Sequence, residues 1–353
     1  MKRVISFFVV ILLVVIATVI VNNKKQDKVT ISIGYQVPTA QVWSALIIKN
    51  QKLYEYYLKK EFPNTQFEIK WINFTSGPPI TANMLAGKVQ IGFMGDMPMI
   101  VNVSKNKKSA YQSVIIAFDG KGTKGKNQAI MTNSNNDLNI ENLAGKKVST
   151  IFGSSAHRML LEILKKYDLL DKVEVIHQDP NIGMSAVEQN QIAAHATWDP
   201  YPRFMKARGK SKYLIDGSES SVDYLAGVVV DRNWLEMNNR YGVSFVKALI
   251  SAHEIIRLSP EKAARIFQEE SKFPYEVCLE EAKNIRWDAE IYNKDVVTLD
   301  KDVDFLRSLD KVSDFEIRNF VDAKWLGIAT KELNRKALSQ EEIKGEWLIN
   351  REL

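Results

Sequence analysis

The stretch Phe152-Gly153-Ser154-Ser155-Ala156-His157 sets two hydroxyls, an imidazole and a glycine side by side. A β-branched run, 147–151, leads into it, and 159–166 leads out with apolar residues at helical spacing. It therefore reads as the corner between a strand and a helix start. A helix start offers unpaired N–H groups and the positive end of the macrodipole, which together hold anions. Ser154 or Ser155 as N-cap would add a hydroxyl. A serine nucleophile is the competing chemistry. It needs a base within reach and an orienting third group, but no Gly-x-Ser-x-Gly elbow is present and His157 shares the serines' own turn. No catalytic residue is assigned.

Two acids stand near comparable corners. Asp96 in Gly95-Asp96-Met97-Pro98 follows an apolar strand and precedes a helix, the position of an N-cap. Asp199 follows Trp198 in Trp198-Asp199-Pro200-Tyr201. Arg158 and Arg203 are candidate counter-charges. Cys278 is the one cysteine, so neither an intrachain disulfide nor a thiol-metal cluster can form. His157, His177, His195 and His253 lie far apart without zinc spacing, and the last three read as surface or helix-packing residues. No metal and no cofactor is assigned.

The elements that position these residues follow a two-part pattern. Alternating or β-branched strands at 29–35, 67–72 and 89–94 are interleaved with helices at 42–57, 81–86 and 99–103. This βαβαβ order with short connections implies a parallel sheet covered by helices. Ligands sit beyond the carboxyl ends of such strands, so the turns 36–41, 76–79 and 95–98 would line one side of a cleft. A strand at 113–118 and a Gly/Lys crossover at 119–126 lead to a fresh unit at 128–131, 147–151, 173–176, 193–197 and 213–215, with a helix at 184–189. Residues 224–230 read as a strand returning to the first unit, and the pattern is mainly helical from Asn233. The last twenty residues are highly charged and read as a loosely held tail.

With 353 residues, 45% of them hydrophobic and 25% charged, the chain can build two lobes with separate cores. Its net charge of +6 is dispersed, without an arginine-rich arm or finger spacing, so a nucleic-acid partner is excluded. At the N-terminus, Met1-Lys2-Arg3 precedes the uncharged apolar run 4–21, and Lys24-Lys25 ends it. This is an export signal, with cleaved peptide and retained anchor both open. No cysteine follows for lipid attachment. Either way, residues from about 28 onward lie in the periplasm or on the outer face of the cytoplasmic membrane.

In order and spacing, several segments resemble the type II periplasmic substrate-binding proteins of ABC importers, more narrowly the nitrate/sulfonate/taurine (NitT/TauT) family. They are Gly34-Tyr35-Gln36, Leu85-Ala86-Gly87-Lys88-Val89-Gln90-Ile91-Gly92, Gly95-Asp96-Met97-Pro98, Leu143-Ala144-Gly145-Lys146-Lys147-Val148, Gly153-Ser154-Ser155-Ala156-His157 and Trp198-Asp199-Pro200-Tyr201. The resemblance implies an α/β protein with two lobes, mostly parallel mixed sheets flanked by helices, and two crossovers near 118–128 and 220–228. Its lobes would be 29–118 plus 224–330, and 119–223, with a charged tail at 331–353. It further implies a monomeric receptor, not an enzyme, that delivers a small solute to a membrane permease.

Carried onto this chain, the resemblance gives Gly153, Ser154, Ser155 and Ala156 the anionic head of the ligand, with His157 at the rim. Asp96 takes the place of the acid in the family's Gly-Asp-x-Pro loop, and Trp198 that of its cleft aromatic. Gln36, Gln41, Trp43, Met97, Asp199 and Tyr224 complete the candidate ligand set. An acid beside an anion site suits a zwitterion, whose ammonium could pair with Asp96 or Asp199. An aliphatic sulfonate is the first ligand expected and taurine the next. Nitrate, bicarbonate, a neutral heterocycle, or pyrimidine-precursor synthesis on the same fold remain as alternatives.

Overall fold

The computed structural model describes residues 28–105 and 112–348. The N-terminal segment on which the export reading rests lies outside the described residues. Among those that are described, no helix is long and apolar enough to cross a membrane.

The first unit starts with β1 (Lys28–Tyr35), α1 (Ser44–Asn50), α2 (Leu53–Glu61), β2 (Gln66–Asn73), α3 (Gly77–Leu85), β3 (Ile91–Gly95) and α4 (Asp96–Ser104). Strands β1 and β2 run parallel, as do β1 and β3, with Ile33 opposite both Trp71 and Ile91. The continuous helix expected at 42–57 is instead broken. Lys52 adopts a left-handed conformation (φ 51°), which ends α1 and starts α2 in a new direction. Pro78 and Pro79 open α3, where their missing N–H groups cost no helical hydrogen bond.

The chain then builds β4 (Ser113–Gly122) and enters the second unit. This holds β5 (Gln128–Asn133), β6 (Lys147–Thr150), α5 (Ser155–Lys166), β7 (Glu174–His177), α6 (Pro180–Glu188), β8 (Ala194–Trp198), α7 (Tyr201–Ala207) and β9 (Ser211–Asp216). It returns through β10 (Tyr224–Asp231) to α8 (Arg232–Met237), α9 (Asn239–Leu258), α10 (Pro260–Ser271), α11 (Tyr275–Asn284), β11 (Arg286–Trp287), α12 (Asn293–Ser308), α13 (Lys324–Glu332) and α14 (Gln340–Lys344).

Two sheets result, with strand orders β11-β4-β10-β3-β1-β2 and β7-β6-β8-β5-β9. Each combines a parallel core with antiparallel additions: β10 against β3 and β4, and β5 against β8 and β9. This is the α/β architecture expected, including the returning strand. Helices α1 and α9–α11 bury their apolar faces on one side of the first sheet, and α4 and α12 cover the other. The second sheet has its own cores, with Met159, Leu160, Ile163 and Leu164 of α5 on one face and Met184 and Val187 of α6 on the other.

The chain passes between sheets at 123–127 and 217–223. There the 3-10 turns Thr123–Gly125 and Gly217–Ser220 touch, and a Cβ on Gly125 (φ +74°) would lie 1.9 Å from the Gly217 carbonyl oxygen. Only glycine fits there.

Two further expectations are corrected. Residues 119–122, expected as crossover, continue β4, held by pairing with β10 and β11. The charged C-terminal stretch is not loose as far as residue 348. Trp347 is buried, donates to Asp295 Oδ1 at 2.6 Å, and has Lys121, Arg286 and Lys294 around its ring. Its buried aromatic surface and the cations stacked on it outweigh the solvation of the charges that flank it.

Candidate functional site

The carboxyl ends of the parallel strands in both sheets open onto one cleft of about 630 Å³, counting its open mouth. The first sheet contributes Gln36 and Thr39 after β1, Ser76, Gly77, Pro78 and Thr81 after β2, and Gly95, Pro98 and Val101 after β3. The second contributes Ile151–Ser155 after β6 and Trp198 at the end of β8. Tyr224, the first residue of the antiparallel β10, reaches the same end.

Three helices begin at this cleft, but they differ as anion sites. At α3, Pro78 and Pro79 have no N–H to offer. At α4, Asp96 occupies the first position, the Met97 N–H donates to Asp96 Oδ1 at 2.7 Å, and Pro98 has no N–H. At α5, Ser154 caps the helix, its Oγ accepting from the His157 N–H at 3.2 Å. The N–H groups of Ser155 and Ala156 have no acceptor four residues back within the helix. The donors free to meet an anion are therefore concentrated at α5. Gly153 makes the corner possible with φ +75°, a conformation that an L side chain resists.

Among the described residues, none that lines the cleft is charged. Phe152, Ile151, Val101, Pro78, Pro98, Trp198 and Tyr224 give it apolar walls. The Trp198 indole N–H donates to Pro38 O at 3.0 Å and Thr39 Oγ1 at 3.2 Å, joining β8 to the loop after β1. Gln36 is 3% exposed and donates to Phe93 O at 3.2 Å, which leaves its amide oxygen as an acceptor. Burial, reinforced by Asp96 and Asp199, holds the Tyr224 hydroxyl well above its ordinary pKa and so protonated.

Of the residues singled out in the sequence, Gln36, Gly153, Ser154, Ser155, Trp198 and Tyr224 line the cleft. The others lie elsewhere, for identifiable reasons. Asp96 is buried behind the wall. Its Oδ1 accepts a short hydrogen bond from Ser155 Oγ, and its Oδ2 accepts from the Leu225 N–H at 3.1 Å. Burial raises its pKa, opposed by Ser155, the two backbone N–H groups and Arg158. Asp199 is likewise buried, its Oδ2 taken by Asn127 Nδ2 at 3.0 Å and Arg203 Nε at 3.1 Å. Neither carboxylate faces the cleft.

Trp43 turns into the first core, tilted against Phe267 and Phe273, with its N–H on Val37 O at 2.8 Å. Gln41 is fully buried, and its amide atoms have no hydrogen-bond partner among the described residues. Met97 and Ala156 are core side chains of opposite units. His157 packs beside the turn against Phe152 and Phe305. Arg158 pairs with the buried Asp302 of α12, and Arg203 joins Asp199 to Glu281 of α11. Ser76, Thr81 and Phe152 were not singled out as ligand contacts. The Pro-Pro turn that contains Ser76 and leads into the helix of Thr81, and the Gly/Ser corner that contains Phe152, were the legible signals.

His195 is buried beneath α6, with Nδ1 at 2.8 Å from Ser149 Oγ, and burial lowers its pKa to about 4. Unfolded, it would titrate near 6.5. The unfolded chain therefore binds the extra proton between these values, and stability is lost as pH falls through that window. The loss by pH ~4.5 should be about 2–3 kcal/mol. Urea denaturation of wild type and His195→Gln at neutral pH and at that acid pH measures it, since the carboxyl contributions cancel in the comparison. Equal pH slopes for the two proteins would refute it.

No protein-family profile matches the chain. Over 249 residues, covering 69% of this chain and 72% of its relative, it is 24% identical to a protein of Escherichia coli named as an aliphatic sulfonates-binding protein. Over 308 residues, 86% of this chain and 88% of the relative, it is 24% identical to a protein of the same description from Bacillus subtilis. The crystal structure of the periplasmic aliphatic sulphonate binding protein of Escherichia coli superposes with a TM-score of 0.70 at 20% identity, covering 92% of this chain and 96% of that one. By sequence the chain is thus a homologue of proteins named for binding aliphatic sulfonates, and by structure it has the periplasmic-binding-protein fold, as its resemblance to the nitrate/sulfonate/taurine family implied.

Proposed function

We propose that this chain is the extracytoplasmic solute receptor of an ABC importer, holding an aliphatic sulfonate between two lobes and presenting it to a membrane permease. The observation that carries the reading is the start of α5, where Gly153, Ser154 and Ser155 line an uncharged, apolar-walled cleft between the two sheets. A sulfonate head would take the Ser155 and Ala156 N–H groups, with the Ser154 hydroxyl beside it. Its alkyl chain would lie along Trp198, Tyr224 and Pro98.

The two acids favour a tail without an ammonium group, because both are occupied on the far side of the wall. Taurine therefore stands behind simple alkanesulfonates. A receptor is favoured over an enzyme because the His157 Nδ1 accepts from the Gly153 N–H at 3.1 Å and so does not serve either serine as base. The lobes of this reading are the residues up to 122 together with 224–348, and 128–216, acting as a monomer outside the cytoplasmic membrane. They would close about the two crossovers when ligand binds.

Calorimetry of the full chain with butane-, hexane- and octanesulfonate, taurine, nitrate and bicarbonate tests this. Alkanesulfonates should bind, with taurine at least about tenfold weaker for want of an ammonium partner. Trp198→Ala should weaken hexanesulfonate by roughly tenfold to a hundredfold through lost apolar contact. Absence of binding by every sulfonate would overturn the proposal.

A further inference from the structure

Two imidazoles from different elements act on the corner at the cleft. His177, the last residue of β7, accepts from the Phe152 N–H through Nδ1 at 3.1 Å. His157, in the first turn of α5, accepts from the Gly153 N–H through Nδ1, also at 3.1 Å. Between them stands the Phe152 ring, which lines the cleft. It stacks on His157 with centroids 5.1 Å apart and meets His177 edge-on at 5.4 Å. One residue is thus gripped through both backbone and ring, while its neighbour's N–H is turned to the same side.

The corner carries more N–H groups than one anion needs, and the imidazoles divide them. Those of Phe152 and Gly153 point to nitrogen acceptors, while those of Ser155 and Ala156, in the first turn of α5, have no acceptor within the helix. An Nδ1 that accepts must hold a lone pair, which places the ring proton on Nε2. Burial, reinforced by the neighbouring His177 and Lys311, lowers the His157 pKa to about 4, so at neutral pH its Nδ1 lone pair is present.

We propose that His157 and His177 are positioning residues for ligand. As neutral Nε2–H tautomers they fix the Phe152–Gly153 corner, hold the Phe152 ring in the cleft wall, and reserve the Ser155 and Ala156 N–H groups for the anion. The consequence for ligand rests on the sulfonate-receptor reading; the tautomers and the corner do not.

Long-range nitrogen–proton spectra of the full chain read both imidazoles directly, and each should show a protonated Nε2 and an unprotonated Nδ1. His177 lies on the surface, so its variants should fold. His177→Asn, whose amide oxygen can replace Nδ1 as acceptor, should bind hexanesulfonate within about threefold of wild type. His177→Phe, which keeps the ring contact but no acceptor, should bind about tenfold more weakly at an unchanged melting temperature. An Nδ1–H tautomer at either ring, or wild-type affinity in His177→Phe, would overturn the proposal. If the wild type binds no hexanesulfonate, the sulfonate reading fails by itself. Slow amide exchange at Phe152 and Gly153 in wild type, lost at Phe152 in His177→Phe, then upholds the clamp, and fast exchange in wild type refutes it.

Discussion

Arg158→Met is expected to weaken hexanesulfonate binding by a hundredfold or more and to leave the ligand-free protein open in small-angle scattering. Arg158 sits on α5 of the second unit, and Asp302 on α12, packed against the first sheet. Both side chains are buried, and they pair between the two units. Removing one member of such a pair costs about 3–5 kcal/mol, because the other is left buried and uncompensated. On the receptor reading proposed above, closure forms this pair, so the cost falls on the closed state, where it becomes a loss of affinity of roughly two to four orders of magnitude. Burial, added to the nearby Asp96, raises the Asp302 pKa well above the carboxylate range, and Arg158 opposes both. Without Arg158, the Asp302 carboxyl can escape by taking a proton. A raised carboxyl pKa stabilises at low pH and loses that contribution as pH rises, so the variant should close better in acid than in base. Arg158→Met combined with Asp302→Leu should recover most of the affinity. Wild-type affinity in the single variant would refute the assignment.

Asp96→Ala separates two roles for one residue. As the partner of a ligand ammonium, Asp96 would matter for taurine and little for hexanesulfonate. The structure instead makes it a junction, with Ser155 of α5 and the Leu225 N–H of β10 both donating to it. With the Met97 N–H, its removal leaves three buried donors without their acceptor, at about 1–3 kcal/mol each. The expected result is a drop of several degrees in melting temperature and a loss of affinity that is alike for taurine and hexanesulfonate. Asp96→Asn should fall between, since its amide N–H group meets another donor on one side. A selective loss of taurine alone, measured by calorimetry, would restore the ammonium role.

How far the chain could be read in advance depended on the range of the interactions involved. The Gly/Ser corner was legible because a strand, a φ-positive glycine and an N-cap serine are local signals, and they lie where expected. The helix breaking at Lys52 and the continuation of β4 through Asp119-Gly120-Lys121-Gly122 were not. Those four residues have turn composition, and pairing with β10 and β11, together with the buried Lys121–Asp295 contact, holds them extended. Asp96 and Trp43 show the same limit at the site. Each stands after a strand's carboxyl end, where a cleft residue belongs. Asp96 is drawn away by Ser155 and Leu225, and Trp43 by Phe267 and Phe273, partners far off in the chain. His177 carries no local mark at all: the β6–β7 pairing alone brings it beside Phe152.

The contact between Gly125 and Gly217 bears on the kind of movement available to this protein. A Cβ on either residue would collide with the other's carbonyl oxygen. The two connecting strips are therefore in direct backbone contact, so a bend of one at this point presses on the other. On the receptor reading, such a contact favours a shared swing of the two halves over independent twist or shear of each linker. A protein that moves by such a swing converts whatever fills its cleft into one angle, which any surface that straddles the two halves can read without touching the ligand.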